Sequence, residues 1–154
     1  MKYIVIKDNQ EKVNGWTFEK SDFCDNMVIQ HLKTGDYTLL GYEKDFIIEK
    51  KSSTSEISKN IFDPAFEREL QRMENFKYSF VICCFTLDDV FSFPLNSKIP
   101  QKYWRKLRVN KHIILKKINE FQLKYKTKWI FAGDHGKWVV EDLFKMVINL
   151  GRFK

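Results

Sequence analysis

The sequence predicts a single α/β domain: a mixed β-sheet with helices packed on its faces. Three observations carry this. Residues 2 to 51 hold short β-branched and aromatic runs separated by turn residues. Beyond residue 52 the apolar period changes from two toward 3.6, with two further strand-like runs between helical segments. The length, 154 residues, suits one domain over 1–154 with a core of ordinary size. No internal repeat, low-complexity segment or flexible linker interrupts it.

Taken in order, "KYIVIKD" is a β-branched run ending in an acid and predicts a strand over 2–8. "NGWTF" carries a turn signal followed by aromatics, and "MVIQHLK" predicts a second strand over 27–33. "DYTLL" and "DFIIEK", separated by Gly41-Tyr42-Glu43-Lys44, read as a hairpin. The N-terminal half is therefore expected to be antiparallel. Ser53 followed three residues later by Glu56 is a capping box that opens a short helix. Asp63 as N-cap and Pro64 at the first helical position open another, with Phe66, Leu70 and Met73 as its apolar stripe. "YSFVICCF" returns to strand. After a loop containing Pro94 and Pro100, Asn110 caps a helix running to about Tyr125, with Ile114, Ile118 and Phe121 on one face. "KWIFAG" is a last short strand, and "WVVEDLFKMVINL" an amphipathic helix closed by Gly151.

The bulk composition narrows the function classes. A chain that is 44% hydrophobic and 16% aromatic is not generally disordered. No apolar run approaches the roughly 20 residues of a membrane span, and the apolar start of "MKYIVIKDNQ" is too short for a secretory signal. A cytoplasmic location with no membrane partner is the expectation. Cys24, Cys83 and Cys84 lack metal-site spacing and read as reduced core thiols, and His31, His112 and His135 are scattered. The net charge is +7, but Lys98 to Lys128 alone carries eleven Lys/Arg residues against Glu120, or +10, leaving −3 elsewhere. Tyr103, Trp104, Phe121 and Tyr125 are interleaved with those cations. A solvated face and a polyanion-binding surface both account for this pattern.

The hairpin carries the candidate chemistry. If residues 41 and 44 face each other, antiparallel partners sum to 85 and Asp36 lies opposite Glu49. Glu49 and Lys51 share one strand face because the side-chain period is two. Mg²⁺ sites for phosphodiester hydrolysis commonly use one or two carboxylates plus waters and phosphate oxygens. A nearby lysine then orients the attacking water and screens developing charge. Asp36…Glu49-Lys50-Lys51 fits that requirement; it also fits a solvated cross-strand cluster of salt bridges.

"GDYTLLGYEKDFIIEKKS" resembles the Gly-Asp-Tyr…Glu-Arg-Lys-Ser signature of the XPF-type structure-specific endonuclease domain, a branch of the PD-(D/E)xK nucleases. The likeness is closest to short stand-alone phage and bacterial versions. "IVIKDNQEKVNGWTF" is similar to the family's opening strand, and "FERELQRM" to its Arg-Phe-x-x-Gln/Glu helix. "YSFVICCF" and "KWIFAG" occupy the places of two later core strands. The resemblance implies a restriction-endonuclease-like fold. It implies Asp36 and Glu49 as metal-binding acids with Lys51 as the catalytic lysine, and Asp8 as an additional ligand or water-holder. It gives Glu11 and Glu69 accessory places. Three positions depart from the pattern: Gln10 stands in place of Arg, Lys50 replaces Arg in Glu-Arg-Lys, and Ser55 stands where an acid usually follows the lysine, with Glu56 beside it.

The function this resemblance implies is an Mg²⁺- or Mn²⁺-dependent DNA endonuclease acting on branched or single-strand-containing DNA, in a bacterial or phage-infected cell. Lys102, Arg105, Lys106 and Arg108 would neutralise phosphates without reading sequence. Tyr103 and Trp104 would stack on exposed bases or pack at a helix start; Trp129 and Trp138 read as core. Family members commonly pair through this domain, and the C-terminal apolar helix permits a homodimer. A non-catalytic nucleic-acid-binding module with the same fold is the alternative, and a basic accessory protein that binds other proteins a third.

Overall fold

The computed structural model describes residues 2–11, 15–19 and 21–152. Six strands form one mixed sheet in the order β2-β1-β3-β4-β5-β6. They are β1 (Tyr3–Asp8), β2 (Cys24–Gln30), β3 (Tyr37–Leu39), β4 (Phe46–Lys51), β5 (Tyr78–Cys83) and β6 (Lys128–Phe131). The helices are α1 (Thr54–Asn60), α2 (Pro64–Met73), α3 (Leu87–Phe91), α4 (Lys111–Lys124) and α5 (Gly136–Arg152), with a 3₁₀ turn over Gln101–Lys106. The mixed sheet flanked by helices is the architecture read from the sequence.

Strand alternation sorts the core into two layers. On β4, Phe46 and Ile48 point to one face, where they meet Phe18, Phe23 and the α5 residues Val140, Phe144 and Val147. Ile47 points to the other, where Ile57 of α1, Phe66, Leu70 and Met73 of α2, and Ile114, Ile118 and Phe121 of α4 converge. Burial of these apolar side chains, at about 25 cal/mol per Å² removed from water, is the main term holding helices to sheet. The expected caps form: Asp63 accepts from the Ala65 N–H, and Asn110 from the Ile113 N–H.

Several expectations are corrected. The N-terminal half is not wholly antiparallel, because β2 joins β1 in parallel, Ile6 beside Val28. The stretch from residue 9 to residue 23 is too long for a hairpin and has the length a parallel crossover needs, roughly a dozen residues. β2 also ends at Gln30 rather than residue 33, since an Asp8 carboxylate oxygen takes the Leu32 N–H at 2.8 Å and draws the chain out of the ladder. The segment with Pro94 and Pro100 is not only loop: it holds α3, whose Thr86–Asp89 capping box is complete. Helix α5 runs through Gly151 instead of stopping there. Trp138 lies on the solvent side of α5, 78% exposed, whereas Trp129 is buried as expected. The "NGWTF" turn falls partly outside the described residues. Among the described residues no helix is long and apolar enough to cross a membrane.

Candidate active site

The site grows out of the alternation of β4. With Ile47 facing α1 and α2, Glu49 and Lys51 must follow on that face, while Lys50 turns to the other and lies 4.9 Å over the Trp16 ring. Tyr37 pairs with Ile48, so partners sum to 85 as the sequence predicts. The ladder extends one residue further: the Asp36 N–H donates to the Ile48 carbonyl at 2.7 Å, and an Asp36 carboxylate oxygen accepts from the Lys50 N–H at 2.8 Å. Asp36 is thereby fixed beside Glu49. Its neighbours explain the Gly-Asp-Tyr triplet. Gly35 has φ +77°, and a Cβ there would collide with the Ile47 side chain, so only glycine fits. Tyr37 is fully buried, its hydroxyl accepting from the Trp16 N–H at 2.8 Å.

Two buried charges face each other here. Glu49 is 5% exposed and Lys51 6%, with Nζ 3.2 Å from Glu49 Oε1. Lys51 is held from two more sides, 3.6 Å from a Glu56 carboxylate oxygen and 4.5 Å over the Phe66 ring. Burial alone would lower the Lys51 pKa. The carboxylates of Glu49, Glu56 and Glu69 outweigh it, and the ammonium is held above its usual range. The carboxylates shift the opposite way. Burial first, then the nearby Glu11 and Glu69 charges, push Asp36 up to about 7, against the pull of the Lys50 N–H and the Lys51 charge. Burial and the Asp36 charge raise Glu49 well above its ordinary value against the pull of Lys51, and the nearby Glu69 carboxylate adds to the rise. Among the described residues no hydrogen-bond partner reaches the buried Glu49 Oε2.

The other expected residues are placed as follows. Asp8, Asp36, Glu49 and Glu69 line one open cleft together with Lys33. Asp8 spends both carboxylate oxygens on the backbone, accepting from Leu32 N at 2.8 Å and Gln10 N at 3.3 Å. Glu69 Oε1 accepts from the Gly35 N–H at 3.0 Å and so positions the residue before Asp36. Glu11 lines a neighbouring groove with Lys50 and Trp16, near enough to raise Asp36. Among the described residues no three metal-binding side chains converge on one point. Asp36 and Glu49 still fit a hard divalent cation. They are two like-charged carboxyls forced together, one with an unpartnered buried oxygen, and Mg²⁺ commonly completes its shell with water and substrate oxygens.

Glu56 is the residue whose part here the sequence concealed. It reads as the far half of a capping box, and its N–H does donate to Ser53 at 3.2 Å. Its carboxylate turns to Lys51 instead of back to the cap. Ser55 bonds the Ser53 hydroxyl at 2.8 Å, so the acid one position later supplies the negative charge missing at 55. The Glu-x-Lys-x₄-Glu spacing with a helix start at residue 54 is the signal that points to it.

The basic segment lies outside the carboxylate cleft. Lys102, Tyr103, Trp104, Arg105 and Lys106 fall in the 3₁₀ turn, and Arg108 follows it. All four cations are solvent-exposed. The two aromatics separate: Tyr103 is 46% exposed, with the Lys102 ammonium 5.0 Å from its ring, while Trp104 is half-buried and its indole N–H donates to the Ile99 carbonyl at 2.9 Å. Neither Leu107 nor Val109 leaves the molecule; both pack against the α4-side core and tie the segment down.

Comparison with solved structures shows the same fold in XPF from Aeropyrum pernix, with TM-score 0.64 and 20% identity over 94% of this chain and 65% of that one. XPF from Aeropyrum pernix in complex with DNA superimposes with TM-score 0.61 and 18% identity over 96% of this chain and 66% of that one. The chain thus spans just under two thirds of the length of those structures. Comparison with curated proteins returned no match. The family model described as ERCC4 domain matches residues 7–137, a span that contains every strand after β1, the hairpin carrying Asp36, Glu49 and Lys51, and helix α2 with Glu69. With its fold shared and most of its length matched, the chain belongs to the ERCC4 domain family.

Proposed function

We propose that this protein is a metal-dependent DNA endonuclease, and that Asp36, Glu49 and Lys51 form its catalytic centre. The observation that carries the reading is the buried Glu49–Lys51 pair beside a second, crowded carboxyl. A fold does not need such a set for stability, because buried ion pairs rarely repay their desolvation, and perturbed carboxyls clustered in a cleft mark functional sites. Asp36 and Glu49 would hold Mg²⁺ or Mn²⁺, with Asp8 at the cleft edge contributing through water. When bound, the ion polarises the phosphoryl oxygen and makes water a nucleophile at neutral pH.

The chain's own residues supply the rest. Lys51, fixed from three sides by Glu49, Glu56 and the Phe66 ring, would supply a preorganised ammonium to the attacking water and the developing phosphoryl charge. Glu69 holds Gly35 and through it the Asp36 backbone. The exposed cations Lys102, Arg105, Lys106 and Arg108 would neutralise phosphates away from the cut, and exposed Tyr103 would stack on an unpaired base. Branched or single-strand-containing DNA is the proposed substrate and a homodimer the proposed assembly, formed in the cytoplasm.

The test is to incubate purified protein with branched, single-stranded and duplex DNA in Mg²⁺, Mn²⁺ or EDTA. Metal-dependent cutting that disappears in Asp36→Ala and Lys51→Ala supports the assignment, and cutting that persists in both would falsify it. Binding with no cutting in any metal favours a non-catalytic nucleic-acid-binding module.

A further inference from the structure

A second cleft adjoins the carboxylate cleft. Leu32, Ile47 and Phe76 form its apolar floor, and Lys33, Lys44 and Arg72 stand at its edge. Its acid, Glu43, is turned back onto its own loop, accepting from the Gly41 N–H at 2.8 Å. Three cations against one carboxylate make this cleft basic, whereas the carboxylate cleft holds four acids and Lys33. Leu32 and Lys33 line both, so the two are separated by the width of one strand of backbone.

That shared wall is held from both sides. On the carboxylate side Asp8 takes the Leu32 N–H and Glu69 takes the Gly35 N–H. On the basic side Arg72 Nε donates to the hydroxyl of buried Thr34 at 3.1 Å. Among the described residues no other hydrogen bond or ion pair engages the Arg72 guanidinium, so its terminal amino groups remain for an anion. Lys33 and Lys44 are exposed and take part in no ion pair among the described residues. A cationic rim over an apolar floor suits a nucleotide unit, whose phosphate is charged and whose base offers a flat π-face for stacking.

We propose that this basic cleft binds a phosphodiester of the substrate strand neighbouring the one held at the carboxylate cleft, with Lys44 and Arg72 on the phosphate and Phe76 against the sugar or base. The inference rests on the endonuclease reading for the identity of the strand. It gives the Leu32–Gly35 segment a function, since moving that wall would shift the two phosphates relative to each other. It also gives Asp8 a positioning part independent of any metal.

The test separates the subsite from the chemistry by measuring binding without cutting. A fluorescent single-stranded oligodeoxynucleotide is titrated with protein in EDTA and followed by anisotropy. Lys44→Ala and Arg72→Gln are each expected to weaken binding roughly fivefold, the upper range for an exposed ion pair. Each should also reduce the magnitude of the log–log salt slope by about 0.7. Lys145→Ala, on α5 across the sheet, serves as the charge-matched control and should match wild type. Among the described residues the Lys44 ammonium makes no ion pair, so its variant reports even if Arg72→Gln loosens Thr34. A methylphosphonate placed at successive linkages should cost wild type affinity at one position and cost Lys44→Ala nothing there. Affinity losses no greater than in Lys145→Ala, or a neutral linkage tolerated everywhere, overturn the subsite whether or not the protein cuts. Reduced binding in the variants of a protein that never cuts retains the subsite and removes the endonuclease reading.

Discussion

Replacing Asp36 by Asn should stabilise the metal-free protein while destroying its response to Mg²⁺. The carboxyl is carried from its ordinary 3.8 to about 7 by burial and by Glu11 and Glu69. That displacement corresponds to about 4 kcal/mol of penalty on the ionised form. Between those pH values the folded chain keeps a proton that the unfolded chain has lost. Metal-free stability therefore falls as pH rises from about 4 to about 7 and levels above it. Asn retains the acceptor for the Lys50 N–H but carries no charge, so at pH 8 the substitution removes most of the penalty, and at pH 5 less than half of it. Allowing for the cost of burying the new amide, a gain of about 2–4 kcal/mol at pH 8 raises Tm by roughly 5–15 °C in a domain of this size. Calorimetry in EDTA at both pH values measures this. In wild type, saturating Mg²⁺ should recover a comparable amount, about 2.7 kcal/mol at a hundred times Kd, and in Asp36→Asn it should recover none. A variant that melts lower than wild type at pH 8 without metal, or that responds to Mg²⁺ as wild type does, refutes the reasoning.

Other predictions follow from the same geometry. Lys51→Met keeps the volume but leaves Glu49 buried without its counter-charge. It should cost about 3–5 kcal/mol in a urea titration and lower kcat by on the order of 10²–10³. Glu69→Gln preserves an acceptor for the Gly35 N–H yet removes a charge that raises Asp36, so the pH midpoint of Mg²⁺-induced stabilisation should move below about 7. Glu69→Ala, which also orphans that N–H, should cost a further ~1–3 kcal/mol by thermal melting. Gly35→Ala forces a Cβ into Ile47 at φ +77°. A loss of about 1–3 kcal/mol is expected from the backbone alone, and an unchanged melting temperature would remove the steric account of this glycine.

What the sequence alone determined is what depends on local periodicity. The pairing of Asp36 with Glu49 follows from turn length and a period of two, and the ladder through Tyr37 and Ile48 bears it out. The caps at Asp63 and Asn110 and the stripes of α2 and α4 follow from neighbours within one helical turn. The resemblance of the hairpin was legible for the same reason: its residues are contiguous. Tertiary structure alone decided the rest, because each outcome depends on elements far apart in the chain. The parallel direction of β2 depends on a crossover rather than on a strand's own pattern. Trp138 and Trp129 look alike in sequence, yet one faces solvent and the other the α4 core. Tyr103 and Trp104 divide between exposure and packing according to which side of a 3₁₀ turn reaches Ile99. The second carboxylate on Lys51 is Glu56 because the α1 helix start swings it, and not Ser55, toward the strand. The wall between the acidic and basic clefts is built by Asp8, Glu69 and Arg72 from two different elements. A run of letters shows which groups the chain possesses; long-range packing decides which of them share a cleft, and so what charge each one feels.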